Sequence, residues 1–329
     1  MTYANEDARL SSLESVCNTT LLSARRAAEK EWCVEHSSKC YQFTSAAEFG
    51  GAIYLNQIYG IRMEKTTTLG SYSPEGGILY ATSCPNVEII ESSLQGGASD
   101  FGGAMVVDKG SITTLDNTII SYNRASFDGG GICTRENAQV IIKSSTFRAN
   151  EAKTGGAVFI DTQGQVSCSK AHFDDNHANM FGGAVMLTLG SAMEMEESLL
   201  ENNRANDEGG ALFLSDSKLH VKTTNFRYNA AKSRGGGAIL AERGTTIQME
   251  SCSMSANAVK DTNGAGGAVL LRNKATFVAS NSTLEHNWAG VGGAVAVDHF
   301  AYFSLANSGV KYNRLHDDSV TETPFGQGG

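Results

Sequence analysis

A pair of adjacent glycines returns at a nearly fixed interval along this chain, and that interval limits the folds open to it. The pairs begin at Gly50, Gly76, Gly102, Gly129, Gly155, Gly182, Gly209, Gly236, Gly266 and Gly292, so the steps are 26 or 27 residues apart from a single step of 30. Self-similarity at such a period is the mark of solenoids, propellers and arrays. A small residue and then aliphatics follow nearly every pair, as in GGAVFI from Gly155 and GGAVML from Gly182. A second mark keeps the same beat: a hydrophobic residue, two variable residues, then asparagine. It ends at Asn150, Asn176, Asn203, Asn229, Asn257, Asn287 and Asn313.

Each repeat carries three short strand-like stretches. The first follows the glycine pair and is apolar three and five residues after its first glycine, as at Val158 and Ile160, Val185 and Leu187, Leu212 and Leu214. The second alternates with period two, as at Met193 and Met195, Leu219 and Val221, Ile247 and Met249; that is the period of a strand with one buried face. The third is the Ser/Thr-x-hydrophobic step before the asparagine. Strands this short cannot bury themselves within one repeat. Stacked as coils at the strand spacing of about 4.8 Å, like residues close a continuous core. Helix pairs fail, because nothing recurs at 3.6 residues and paired glycines break helices.

The reading is therefore all-β: a right-handed parallel β-helix of about ten coils. Glycine supplies a left-handed corner on every coil. Asparagine tolerates the same region, and its amide offers a donor and an acceptor for a ladder along the axis. Residues 5–32 differ. Leu10, Leu13, Val16, Leu21, Ala24 and Ala28 recur at helical spacing behind Asn5 or Asp7 as N-cap, which predicts a helix over the first coil's open edge. The alternative is a helix that docks on a partner. The division expected is a cap segment over 1–40 and a β-helix over 41–329. Gly328 and Gly329 read as the start of a further coil, so the rod is expected to be cut short at that end.

The two marks, GGA followed by Ile, Leu or Val, and Phe-x-x-Asn, make residues 41–329 resemble the polymorphic outer membrane protein repeat family. The resemblance implies a β-helical passenger with an adhesive, cell-surface or extracellular role; the chain is read as a structural or adhesive repeat protein and not as an enzyme. The N-terminal MTYANEDARL lacks the basic-then-apolar pattern of a leader.

Net charge is −9 with no Lys/Arg cluster, which argues against nucleic acid or an anionic membrane as partner. No apolar run approaches the ~20 residues of a spanning helix. The seven cysteines form no metal-type CxxC pair. Cys17, Cys33, Cys40 and Cys84 are left open between free thiols and a disulfide; Cys133, Cys168 and Cys252 fall inside strand patterns. No cofactor is expected.

β-Helices also host sugar-cleaving enzymes, which need carboxylates from neighbouring coils converging on one groove. The best column lies six residues after the first glycine: Asn56, Thr82, Asp108, Arg135, Asp161, Thr188, Ser215, Glu242, Arg272, Asp298. Alternating carboxylates and arginines there read as a surface charge ladder, each pair worth ~0–1 kcal/mol; a carbohydrate-active site is the alternative. His172, Asp174, Asp175 and His177 have the composition of a metal site. They surround the repeat's own Phe173 and Asn176, so they read as polar residues filling exposed slots.

Between the two inward positions of the first strand lies one that faces outward. Its column is Tyr54, Tyr80, Val106, Cys133, Phe159, Met186, Phe213, Leu240, Leu270 and Ala296, without a charge. Stacked, it makes an apolar stripe about 45 Å long, larger than a monomer usually exposes. The expected cover is a protein partner or a neighbouring copy of the rod, ahead of the chain's own N-terminal helix.

Overall fold

The computed structural model describes residues 33–34, 40–42 and 46–316 of the chain. Over that range every strand pairing is parallel, and each strand pairs with its counterpart one coil away. The chain is a right-handed parallel β-helix. The helix expected over residues 5–32, like the glycines at 328 and 329, lies outside the described residues.

Four sheets run along the axis where the repeat suggested three. A post-glycine sheet of ten strands runs from Ile53–Asn56 to Val295–Val297. A long-strand sheet and a pre-asparagine sheet each hold eleven, beginning at Cys33–Val34 and Cys40–Gln42. The unexpected fourth holds nine strands, from Ala98–Phe101 to Arg314–Leu315, and fills the segment between asparagine and glycine pair that the sequence presented as a turn. Its strands are as short as two residues, its register slips at bulges in the early coils, and its buried column is mostly alanine (Ala125, Ala152, Ala178, Ala205, Ala231). An alternation built on alanine gives little hydrophobic signal.

The inward columns form one core. Val158, Val185, Leu212, Ile239 and Val269 are fully buried in consecutive register and Val295 packs against them at the last coil. Phe147 and Phe173 stack at 4.9 Å between ring centroids in the pre-asparagine column.

The two glycines of each pair serve different ends. The first has φ between 56° and 68° on every coil, a region that costs other residues about 1–2 kcal/mol. The second has ordinary φ, but a Cβ on Gly103 would fall against the carbonyl oxygen of Gly130, and on Gly183 against that of Gly210. Close approach of coils excludes a side chain there.

Asparagine behaves differently from expectation in one respect. The left-handed residue is its predecessor: Ala149, Asp175, Asn202, Tyr228 and Ala256 all have φ near 50°. The asparagine itself is buried. From Asn123 to Asn287, each Nδ2 donates to the next coil's Oδ1 at 2.9–3.0 Å and also to a carbonyl of the preceding coil, as Asn176 does to Phe147 at 3.0 Å. Each Oδ1 also accepts the previous asparagine's backbone N–H, as Asn203 does from Asn176 at 3.1 Å. The amide is fully satisfied in a dry site, where leaving a polar group unpaired is costly. A hydroxyl ladder runs beside it: the backbone N–H of Thr118 reaches Ser145 Oγ at 3.0 Å, and that of Ser198 reaches Thr224 Oγ1 at 3.2 Å.

Candidate functional site

The stripe column faces away from the main core, as strand alternation requires, yet its side chains are buried. Tyr80 and Phe159 are 6% and 8% exposed, and Val106, Phe213, Leu240 and Leu270 are likewise enclosed; Tyr54 and Met186 are half-buried. The expected exposure is therefore corrected. The left-handed glycine folds the outer face of the fourth sheet against that of the post-glycine sheet, so the chain fills its own concave seam. Phe49, Phe101, Phe181 and Ala265, each just before a glycine pair, pack onto the stripe in two clusters separate from the core.

The residues just before the pairs form a column of their own: Phe49, Glu75, Phe101, Asp128, Thr154, Phe181, Glu208, Gly235, Ala265. It faces the charged column six residues past the first glycine, and together they place an ionic device on the seam twice. In the first, Arg135 reaches back two coils to Glu75, crossing the Phe101 ring with its guanidinium carbon 5.4 Å from the centroid. Asp108, on the coil between, accepts the Tyr80 hydroxyl at 2.8 Å. In the second, Arg272 reaches back two coils, across side-chain-free Gly235, and bonds both oxygens of Glu208 at 2.7 and 3.0 Å. Its Nε also donates to Glu242 on the intervening coil at 2.9 Å. Glu208 is 1% exposed, and Asp108 and Glu242 are 5% and 7%. The surface-ladder expectation is thus corrected for the middle of the column, while Asn56 and Asp298 at its ends are exposed. The signal was present in the sequence only when two columns are compared 60 or more residues apart.

Asp128 is the seam carboxyl of most chemical interest. Burial pushes its carboxyl above the usual range, nearby Asp161 adds to the shift, and the Thr154 hydroxyl donates to it and opposes it. Burial likewise raises the Tyr80 hydroxyl, with Asp108 adding to the effect.

His172 and Asp174 meet Glu201 of the next coil, their ligand atoms lying within 4.8 Å of one another. Asp175 sits in the left-handed turn and His177 in the fourth sheet, so the four residues weighed as a metal site do not converge. Both carboxylates are held by cations: Arg148 lies 3.4 Å from Asp174, and Arg227 lies 2.7 Å from Glu201. Burial would raise the Glu201 carboxyl, but the hydrogen bonds from Arg227 and His172 outweigh it and hold it below the usual range. Such a set is a ladder of ion pairs on the rod's outer face. Cys84, Cys133, Cys168 and Cys252 are buried free thiols; Cys17 and the side chains of Cys33 and Cys40 lie outside the described residues. Among the described residues, no helix is long and apolar enough to cross a membrane.

A self-filled outer seam on a parallel coil defines a β-helical repeat protein. The chain belongs to the right-handed β-helix region family, whose model matches residues 50–226. Comparison with curated proteins and with solved structures returns no significant match.

Proposed function

We propose that the chain is a non-catalytic β-helical rod that acts as a scaffold or surface interaction module. The observation that carries this reading is the engagement of the seam carboxylates. Glu75 is held by Arg135, Glu208 and Glu242 by Arg272, Asp108 by Tyr80 and Asp128 by Thr154. Groove chemistry on sugars needs one carboxyl poised as acid and another free as base or nucleophile; here these groups tie coil to coil. The finer reading, an adhesive rod displayed at a cell surface, rests on the resemblance of its GGA and Phe-x-x-Asn marks to the polymorphic outer membrane protein repeats.

The second reading, a carbohydrate-active enzyme, is favoured by Asp128 alone, whose raised carboxyl beside Asp161 suits a general acid. Incubation with neutral and acidic polysaccharides separates the two, following reducing ends and the ultraviolet absorbance of unsaturated uronates. The rod reading expects neither signal above a heat-denatured control. Product release that disappears in Asp128→Asn or Asp161→Asn contradicts it.

A further inference from the structure

The outer face of the fourth sheet carries one column that reads Arg124, Glu151, His177, Arg204, Ala230, Ala258, Trp288 in parallel register. Large side chains occupy it as far as Arg204, and the buried Ala230 on the next coil leaves a notch. That notch, about 290 Å³, has Ala230 in its floor and is lined by His177, Arg204, Lys232 and Lys260. Lys232 and Lys260 come from neighbouring coils, since their backbone N–H groups bond Ala205 and Ala231 at 2.9 Å each. Asp175 is the one carboxylate in the lining.

Two features set this place apart. Most arginines on the other sheets are matched by a carboxylate, as Arg62 is by Glu88, Arg148 by Asp174 and Arg227 by Glu201. Arg204, with Arg314 further along the same column, is an exception that makes no ion pair with a carboxylate among the described residues, although the chain carries a net charge of −9, and Lys232 beside it makes none either. Nearby Asp207 is taken by Arg234, and Asp261 accepts the backbone N–H of Asn263. The second feature is length. The single 30-residue step of the glycine period runs from Gly236 to Gly266, and its extra residues form the turn closed by Gly264 N–H on Asp261 O at 2.9 Å. Lys260 stands at the foot of that turn. The only lengthened coil among the described ones builds a wall of the notch, and insertions on one corner of a solenoid mark its binding face.

We infer that this notch binds the carboxylate or sulfate of an anionic sugar unit on a glycan. The floor is small and apolar, the walls are cationic, and the volume suits one such unit. Arginine and lysine give the charge-assisted hydrogen bonds that an oxyanion needs. An extended polyanion such as nucleic acid fits less well, because it needs a long basic track and the surrounding rod is acidic. The inference deepens the interaction-module reading and rests on it: turnover of a polysaccharide would sink that reading and leave binding here measurable.

The test is calorimetric titration of the full chain with a sulfated or uronate oligosaccharide, its neutral counterpart, inorganic sulfate and a DNA oligonucleotide. The expected result is saturable binding of the charged oligosaccharide, weakened by salt and by roughly tenfold or more in Ala230→Leu and Lys232→Glu, a loss of about one charge-assisted contact. Lys143→Glu, exposed on the long-strand sheet, leaves binding unchanged and controls for overall charge. The proposal is overturned by the absence of binding, by equal weakening in Lys143→Glu, by sulfate alone binding as tightly as the oligosaccharide, or by preference for DNA. Circular dichroism of each variant separates lost binding from lost fold.

Discussion

At the scale of single residues, glycine and asparagine recur for reasons that differ within one motif, and substitution separates them. Gly103→Ala places a Cβ on a neighbouring coil's carbonyl and is expected to cost 1–3 kcal/mol or more as overpacking. Gly110→Ala meets nothing within 4 Å but keeps φ at 68°, so it costs only the backbone strain of about 1–2 kcal/mol. Chemical denaturation of the two variants orders them. Asn203→Ala removes the acceptor for two groups of Asn176 and the donor to Phe173 O. At ~1–3 kcal/mol for each orphaned group, it is expected to lose at least as much stability as a core truncation. A loss below ~1 kcal/mol would mean that the ladder is ornamental. The Gly-Gly and Asn columns were plain in the sequence because each residue type is demanded by backbone geometry. The left-handed residue before the asparagine was invisible there, since Ala149, Asp175 and Tyr228 share no chemistry.

At the scale of strands and sheets, alternation correctly assigned which side chains face outward but could not say what lies over them. Phe213 is the informative position. It was expected to await a partner, and it is 4% exposed against Phe181 of the neighbouring sheet, 4.8 Å between ring centroids. Phe213→Ala is therefore predicted to destabilise the isolated chain by ~3–5 kcal/mol, and Leu212→Ala, on the opposite face of the same strand, by ~2–5 kcal/mol. Thermal unfolding in which Phe213→Ala behaves as a surface change would restore the exposed stripe. The fourth sheet escaped sequence reading because two-residue strands built on Ala230 and Ala231 offer no alternation to detect. On the pre-asparagine sheet, Glu201 links His172 and Arg227 across coils. Its folded carboxyl lies below its unfolded value, so the unfolded state binds more protons between the two. The stabilisation is therefore present above the usual carboxylate range and is lost as pH falls through the lowered value. Unfolding of Glu201→Gln followed against pH should show a shallower loss on the acid side than the parent chain.

At the scale of the whole molecule, solenoid stability is a sum of coil and nearest-neighbour terms, and the arginine clamps are a departure from it. Arg135 and Arg272 each tie a coil to the second coil before it, through Glu75 and Glu208, carboxylates that stand outside the column read from the sequence as a surface ladder. Breaking a buried pair by removing one partner leaves an uncompensated charge and costs ~3–5 kcal/mol; at Glu208 the charge left behind is almost wholly enclosed. The central claim, that the seam carboxylates bind the rod together, turns on this energy. A double-mutant cycle on Arg272→Met and Glu208→Gln, read by chemical denaturation, measures it directly. The account predicts that Arg272→Met alone loses several kcal/mol and that adding Glu208→Gln recovers ~1 kcal/mol or more of that loss. A single-variant loss under ~0.5 kcal/mol, with no coupling between the sites, would contradict it.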